Sequence, residues 1–313
     1  MVEPSFEGVL RAAEAIAGVL PPTPAWRYPM LDLAVGAQVV VKHENTQPTG
    51  AFKVRGGLAF VAGLDALPGG LVTASTGNHA QSVAYAAARN GLPATVVMPT
   101  TSPENKIDAV RALGASVVLH GPTMTEAVAR ARELAQECRW RYVDPGNEPD
   151  IIHGHATITL ELLRSYPDLE AIYVPIGSGS SAAGACLLRD ALAPSCRIVG
   201  VQSAQAPAAY ETWVAREPRT AACTTLASGL ATASSFAVPQ RILQARLDDF
   251  RLVDDDAVDG ARRLLAGHAH TLAEGAGAAA LAGLLDDPAR PERCAVVVSG
   301  GNADARELAS LGG

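Results

Sequence analysis

The feature that most constrains this chain is a regular alternation of short, β-branched apolar runs with alanine- and leucine-rich stretches of helical spacing. QVVVKHE precedes a helical stretch at 55–65, GLVTAST one at 78–90, ATVVMPT one at 104–113 and ASVVLHG one at 124–137. The pattern resumes with AIYVPIG and a helix from about residue 181, continues through CRIVGVQS and a further helix, and ends on CAVVVSGGN. Strand, helix and strand in that order are the repeating unit of a parallel sheet. Runs that are apolar throughout, rather than at every second position, belong to strands buried on both faces, so helices must cover the sheet from both sides. The expectation is an α/β fold, introduced by a helix at 6–18 that Pro21, Pro22 and Pro24 terminate. No linker, repeat or low-complexity block marks a domain boundary.

The 313 residues are 48% hydrophobic and 18% charged, enough apolar surface for a large core. A net charge of −7 with no basic cluster argues against nucleic-acid and anionic-membrane partners and leaves small molecules. Cys138, Cys186, Cys196, Cys223 and Cys294 are scattered, odd in number and without metal-ligand spacing, which suits a reducing compartment. The first twenty residues lack the basic start and apolar run of a secretory signal. Apolar stretches such as 71–74 and 295–298 fall far short of the roughly 20 residues a membrane helix needs. The expected location is the cytoplasm.

Five segments combine a strand end or helix start with glycine, serine or asparagine, where open α/β sheets bind their ligands. In ENTQPTGAFKVRGG, Lys53 follows a Pro-Thr-Gly turn and opens a helix, although helix dipoles favour anions there. A lone lysine is usually a solvated surface residue, but lysine also forms imines with carbonyl cofactors and loses its proton readily when desolvated. ASTGNHAQS, residues 74–82, presents Ser75, Thr76, Gly77, Asn78 and His79 in a strand-to-helix turn, a carboxylate cradle or simply a capped helix. VPIGSGSSAAG, residues 174–184, has the parts of a phosphate cup in Gly177, Ser178, Gly179, Ser180 and Ser181, with a flexible turn as the plainer alternative. It fits neither the dinucleotide nor the nucleotide-triphosphate glycine spacing. VVVSGGNAD puts Ser299, Gly300 and Gly301 at a strand end, and TLAEGAGAAALAG puts Glu274 before an alanine-rich helix; either segment is compatible with plain packing.

In this order the five segments resemble the serine/threonine dehydratase and serine racemase group of fold type II, tryptophan-synthase-β-like, pyridoxal-phosphate enzymes, over roughly residues 20–305. The resemblance implies two domains, each with a mostly parallel sheet flanked by helices: 1–68 with 147–313 to hold the cofactor, and 69–146 to grip the substrate. It implies pyridoxal 5'-phosphate as a Schiff base on Lys53, with Phe52 against one ring face and Asn78 on the ring hydroxyl. The phosphate is expected in Gly177, Ser178, Gly179, Ser180 and Ser181, Ser299 with Gly300 facing the pyridine nitrogen, and Glu274 near the cofactor. Residues 75–79 would grip the substrate carboxylate, and Lys53 would move the α-proton. A neutral hydroxyl at Ser299 makes the ring a weaker electron sink than a carboxylate would, which favours prompt loss of a β-substituent. The implied reaction is dehydration and deamination of a β-hydroxy amino acid such as L-threonine or L-serine, by an enzyme that is usually a homodimer.

The chain departs from that group in three places. Residues 223–229, CTTLASG, carry Thr224 and Ser228 where carboxylates for a divalent cation are expected, so no metal is predicted. Thr76 stands where racemases place a serine that protonates the opposite face of the α carbon, keeping the hydroxyl but adding a methyl. His155 and Ala156 replace the usual Gln and Gly; His155 either recognises a polar β-substituent or makes a structural hydrogen bond. The end of the chain at Gly313 leaves no room for a C-terminal regulatory domain, so feedback control of that type is not expected. The alternatives are a racemase, a β-replacement synthase, whose carboxylate loop usually lacks the Asn-His step seen here, and a binding module that has lost catalysis.

Overall fold

The computed structural model describes residues 3–312. The strands are β1 (Ala25–Arg27), β2 (Gln38–His43), β3 (Leu71–Ala74), β4 (Ala94–Met98), β5 (Ser116–Leu119), β6 (Arg141–Tyr142), β7 (Ala171–Pro175), β8 (Arg197–Ser203), β9 (Asp249–Val253) and β10 (Arg293–Val298). They form a six-stranded sheet, β1-β2-β10-β7-β8-β9, and a four-stranded sheet, β5-β4-β3-β6. Every pairing is parallel except β1 with β2 at one edge.

The continuous apolar runs have the consequence expected of them. Val40, Ala295, Val297, Ile172 and Val174 enter one hydrophobic cluster, while their neighbours Val39, Val41, Val296, Val298 and Tyr173 enter another on the opposite face. The large sheet is thus a central layer between two helical layers. The small sheet is made wholly from residues 71–142 and packs into two further clusters, one of them shared with the helices Phe6–Ala17 and Lys53–Ala62. Among the described residues no helix is long and apolar enough to cross a membrane.

The helix Pro149–Ser165 packs against both the helix Lys53–Ala62 and the helix Ser180–Leu192. Beneath the start of Lys53–Ala62 lies a buried ionic cluster. Arg55, with no exposed surface, donates to both oxygens of the equally buried Glu44 at 2.7 and 2.9 Å and to Glu161 at 2.6 and 2.9 Å. Lys42 joins Glu161 and the Thr23 carbonyl, and Thr23 and Thr157 hydroxyls complete the set. Two cations face two carboxylates, so the cluster is neutral, and it ties β2, the turn after it and the helix Pro149–Ser165 to the turn of helix that carries Lys53.

Candidate active site

The turn before Lys53 and the SGGN turn after β10 are joined by backbone. Phe52 N–H donates to Ser299 O at 3.0 Å, Gly301 N–H to Gly50 O at 2.9 Å, and Ala51 bridges Gly300. This seam aims Lys53 into a cavity of about 220 Å³. Its wall includes Phe52, residues 74–79, Gly177, Ser178, Gly179, Ser181, Glu274 and Ser299. Five sequence segments that lie more than 200 residues apart at the extremes therefore meet at one place, three of them at the carboxyl ends of β3, β7 and β10.

Lys53 Nζ lies 3.2 Å from Ser178 Oγ and 5.0 Å from the centre of the Phe52 ring. Burial lowers its amine from 10.5 to about 8, because the charged form loses hydration. At mildly alkaline pH a substantial fraction is neutral and nucleophilic.

Facing the amine, the chain leaves β7 through Ile176–Gly179 and enters the helix Ser180–Leu192. Gly179 at the N-cap has φ 82°, the left-handed region that glycine tolerates, and no side chain caps the helix. A methyl on Gly177 would fall 2.3 Å from the Gly229 carbonyl, so only glycine fits the turn. The first N–H groups of the helix have no intrahelical partner and carry its positive dipole end, an arrangement suited to an anion.

On the side of the small sheet, the helix Asn78–Arg89 starts at Gly77 without a side-chain cap, so Ser75 and Thr76 are not the capping residues that a plain reading allows. Ser75 Oγ instead accepts from Gly77 N–H at 3.2 Å. His79 borders the cavity, but its Nε2 is committed to Thr73 Oγ1 at 3.1 Å, and burial together with the Lys53 charge lowers it to about 4. What His79 offers a ligand is a neutral ring and a helix N-terminal N–H, not a charge.

Asn78 is held on both sides: its Nδ2 donates to Glu274 Oε1 at 2.6 Å and its Oδ1 accepts from Asn302 Nδ2 at 2.8 Å, which leaves one Nδ2 hydrogen for a ligand. Burial raises Glu274 from 4.5 to about 7. Asn302 and Lys106, absent from the expected set, belong to this group: Lys106 lines the cavity and donates to Asn302 O at 3.1 Å. Asn302 follows the glycine pair directly and was within reach of sequence reasoning, whereas Lys106 sits in a charged helix, Glu104–Ala112, that reads as plain surface.

His155 is placed otherwise than its expected role near the substrate side chain requires. It lies 1% exposed in the helix Pro149–Ser165, edge-on to Phe52 at 4.6 Å, with Nδ1 2.8 Å from Ser180 Oγ. The face it occupies is the one packed against the Lys53 and Ser180 helices, so it stands behind the cavity wall. Ser180 and Gly300 also lie one layer back: Ser180 Oγ contacts Ser178 Oγ at 3.1 Å, and a methyl on Gly300 would meet Glu274 Oε1 at 2.3 Å. In residues 223–229, Thr225 Oγ1 and Leu226 N–H donate to Asp255 at 2.6 and 2.7 Å.

These titrations set opposite trends in the cofactor-free protein. Glu274 binds its proton more tightly folded than unfolded, so its contribution is complete below about 4.5 and lost as pH rises through about 7. Lys53 is the reverse: its buried charge opposes folding below about 8, and the penalty is relieved as pH rises toward 10.5. Over pH 4.5–7 the buried neutral imidazoles of His43, His79 and His155 act against the Glu274 trend, so the test is a difference: the urea midpoint of Glu274→Gln is expected to gain on that of the unsubstituted protein as pH rises from 4.5 to 7.

The donor set fits pyridoxal phosphate. It offers a desolvated amine for a carbonyl carbon, a glycine turn with free N–H groups and hydroxyls for a phosphate, and at Ser299 a hydroxyl 3.2 Å from the Ala276 carbonyl for the ring nitrogen. Known proteins agree. The biosynthetic L-threonine dehydratase of Escherichia coli is 37% identical over 289 residues, covering 90% of this chain and 56% of that protein, so the chain spans little more than half of this relative. The β-hydroxyaspartate dehydratase of Paracoccus denitrificans is 33% identical over 318 residues, covering 98% of this chain and 99% of that one. The structure of maize serine racemase superposes with a TM-score of 0.92 at 29% identity, covering 98% and 96%. The family described as pyridoxal-phosphate dependent enzyme matches residues 16–300. With the lysine, the cup and the strand-end hydroxyl brought together as that chemistry needs, the chain belongs to the pyridoxal-phosphate dependent enzymes, in the serine/threonine dehydratase and serine racemase group of fold type II.

Proposed function

We propose that this protein eliminates water from a β-hydroxy amino acid and yields a 2-oxo acid and ammonia. The observation that carries the reading is the Lys53 amine, lowered to about 8 by burial and set in one cavity with an anion-binding helix start and the 75–79 turn. When bound, pyridoxal phosphate supplies an electrophilic carbonyl and an electron-withdrawing ring that acidify the Cα–H of an amino acid.

In this reading residues 1–68 and 147–313 hold the cofactor, and residues 69–146 grip the substrate. Gly177, Ser178, Gly179 and Ser181 bind the phosphate, with Ser180 behind them. Phe52 would pack on the ring, Ser299 would meet its nitrogen with Gly300 leaving room, Asn78 would donate to its hydroxyl, and Glu274, which accepts from Asn78 Nδ2, would orient Asn78. The turn from Ser75 to His79 takes the substrate carboxylate on its free N–H groups and hydroxyls. Lys53 Nζ would hold the cofactor through its carbonyl carbon between turnovers and, when free, would take the α-proton as a general base. The Cβ hydroxyl would leave as water, its proton matching the one taken from Cα, and the enamine, after tautomerising to the imine, would take up one water to give the 2-oxo acid and ammonia.

A racemase is the second reading, favoured by the presence of Thr76 in the same cavity wall as Lys53. Cytoplasmic location agrees with the five free cysteines. A homodimer agrees with the exposure of Trp26 on the edge strand β1 and of Met30 and Leu33 on the helix Pro29–Val35 that follows it.

The test is release of 2-oxo acid and ammonia from cofactor-loaded protein given L- and D-serine, threonine, 3-hydroxyaspartate and phenylserine. Release establishes elimination and names the substrate. Silence with the imine absorption present, accompanied by loss of chirality in any of these amino acids, would transfer the assignment to racemisation.

A further inference from the structure

We propose that His155 is a positioning residue for the phosphate cup, whose imidazole changes tautomer when an anion occupies the cup and so reverses a hydroxyl chain that ends on Lys53. This rests on the assignment of Gly177–Ser181 as the phosphate site.

The chain is continuous. Lys53 Nζ lies 3.2 Å from Ser178 Oγ, Ser178 Oγ 3.1 Å from Ser180 Oγ, and Ser180 Oγ 2.8 Å from His155 Nδ1. Burial, with the Lys53 charge adding to it, keeps the imidazole well below its usual value of 6.5, so it is neutral and one proton is shared between two nitrogens. The other nitrogen, Nε2, is buried without a hydrogen-bond partner among the described residues and packs against Gly56, where a methyl would fall 2.4 Å from it. The Lys53 carbonyl, on that side, accepts from Ser82 Oγ at 2.5 Å and lies close enough to favour a proton on the ring, but it makes no hydrogen bond of full geometry with Nε2.

The direction of the hydrogen bonds follows from donor counting. As the ammonium it is below about pH 8, Lys53 has only protons to give, so Ser178 accepts from it. With the cup free, Ser178 donates to Ser180 and Ser180 donates to His155 Nδ1, which places the imidazole proton on Nε2. A phosphate dianion in the cup takes the Ser178 hydroxyl proton, because hydrogen bonds to an anion are stronger than those to a neutral acceptor, and Ser180, behind the cup, then donates to the Ser178 oxygen at 3.1 Å. Ser180 then has no proton for Nδ1, and two lone pairs would face each other at 2.8 Å unless the imidazole proton moves to Nδ1. Since Nε2 holds no partner, that move breaks no hydrogen bond. Occupancy of the cup thereby turns His155 from acceptor to donor, and the chain from Lys53 ends on the anion instead of on the imidazole.

The experiment is imidazole ¹⁵N spectroscopy of His155, with the backbone amides of 177–181 followed in parallel, on cofactor-loaded protein, on cofactor-free protein, and on the latter with inorganic phosphate added. The expected result is a neutral Nδ1–H ring in the loaded and phosphate-bound states and an Nε2–H ring otherwise. In Ser180→Ala the amides should still respond while the tautomer does not. Cofactor affinity should drop about tenfold in His155→Leu and recover within about threefold in His155→Gln, which keeps a donor. Amides that shift while His155 keeps one tautomer, or a ring that still switches in Ser180→Ala, would overturn the proposal. Amides that ignore both the cofactor and phosphate would instead overturn the phosphate-site assignment beneath it.

Discussion

Lys53→Ala is expected to abolish product release, lowering turnover by on the order of 10⁴-fold, because in the proposed reaction one side chain supplies both the covalent anchor and the base for the α-proton. The loss should come with disappearance of the imine absorption while the phosphate cup still binds the cofactor non-covalently. The fold should not suffer. At neutral pH the folded chain keeps a desolvated ammonium that opposes folding, so removing it is expected to leave the urea midpoint of the cofactor-free protein unchanged or raised. An inactive variant with a lowered midpoint would mean that Lys53 serves packing, and an active one would remove it from the chemistry altogether.

Arg55→Leu is the second large effect, and it falls on stability. Burial alone would raise the Glu44 carboxyl, but Arg55 and Lys42 reverse that and hold it below the usual carboxylate range. Without the guanidinium, Glu44 keeps Lys42 nearby but loses its two direct bonds, and Glu161 loses two more. Breaking a buried ion pair from one side costs about 3–5 kcal/mol, since a charge is left in a medium that solvates it poorly. Urea unfolding of Arg55→Leu should show that loss. The double variant with Glu44→Leu should recover part of it, because the orphaned carboxylate is gone. The cluster lies under the first turn of the lysine helix, so cofactor affinity should weaken as well, and a variant with normal stability would rule out a desolvated pair.

Much of this molecule is legible in its sequence. Parallel strands in a sheet covered on both faces have one dominant composition, and QVVVKH, AIYVP and RCAVVV carry it; burial of both faces of β2, β7 and β10 follows. The Gly-Ser turn at 177–181 and the lysine at a helix start are local devices as well, since a positive φ at Gly179 and the free N–H groups of a helix end depend on a few adjacent residues.

Other features depend on partners that are distant along the chain. That Asn78 spends one amide hydrogen on Glu274, 196 residues away, and its carbonyl on Asn302 follows only from how the two sheets face each other. His79 and His155 have the composition of site residues, yet helix rotation sends one ring into the small sheet and the other behind Phe52 and Ser180. The neutral cluster of Arg55, Glu44, Lys42 and Glu161 is invisible to any pattern search, because in sequence these are four ordinary charged residues. Periodicity and turn chemistry act over one or two turns of chain, so the sequence by itself determined the elements, the cup and the lysine. The direction of a buried side chain is set by which distant groups satisfy its hydrogen bonds and charge, and that was decided only when the layers packed.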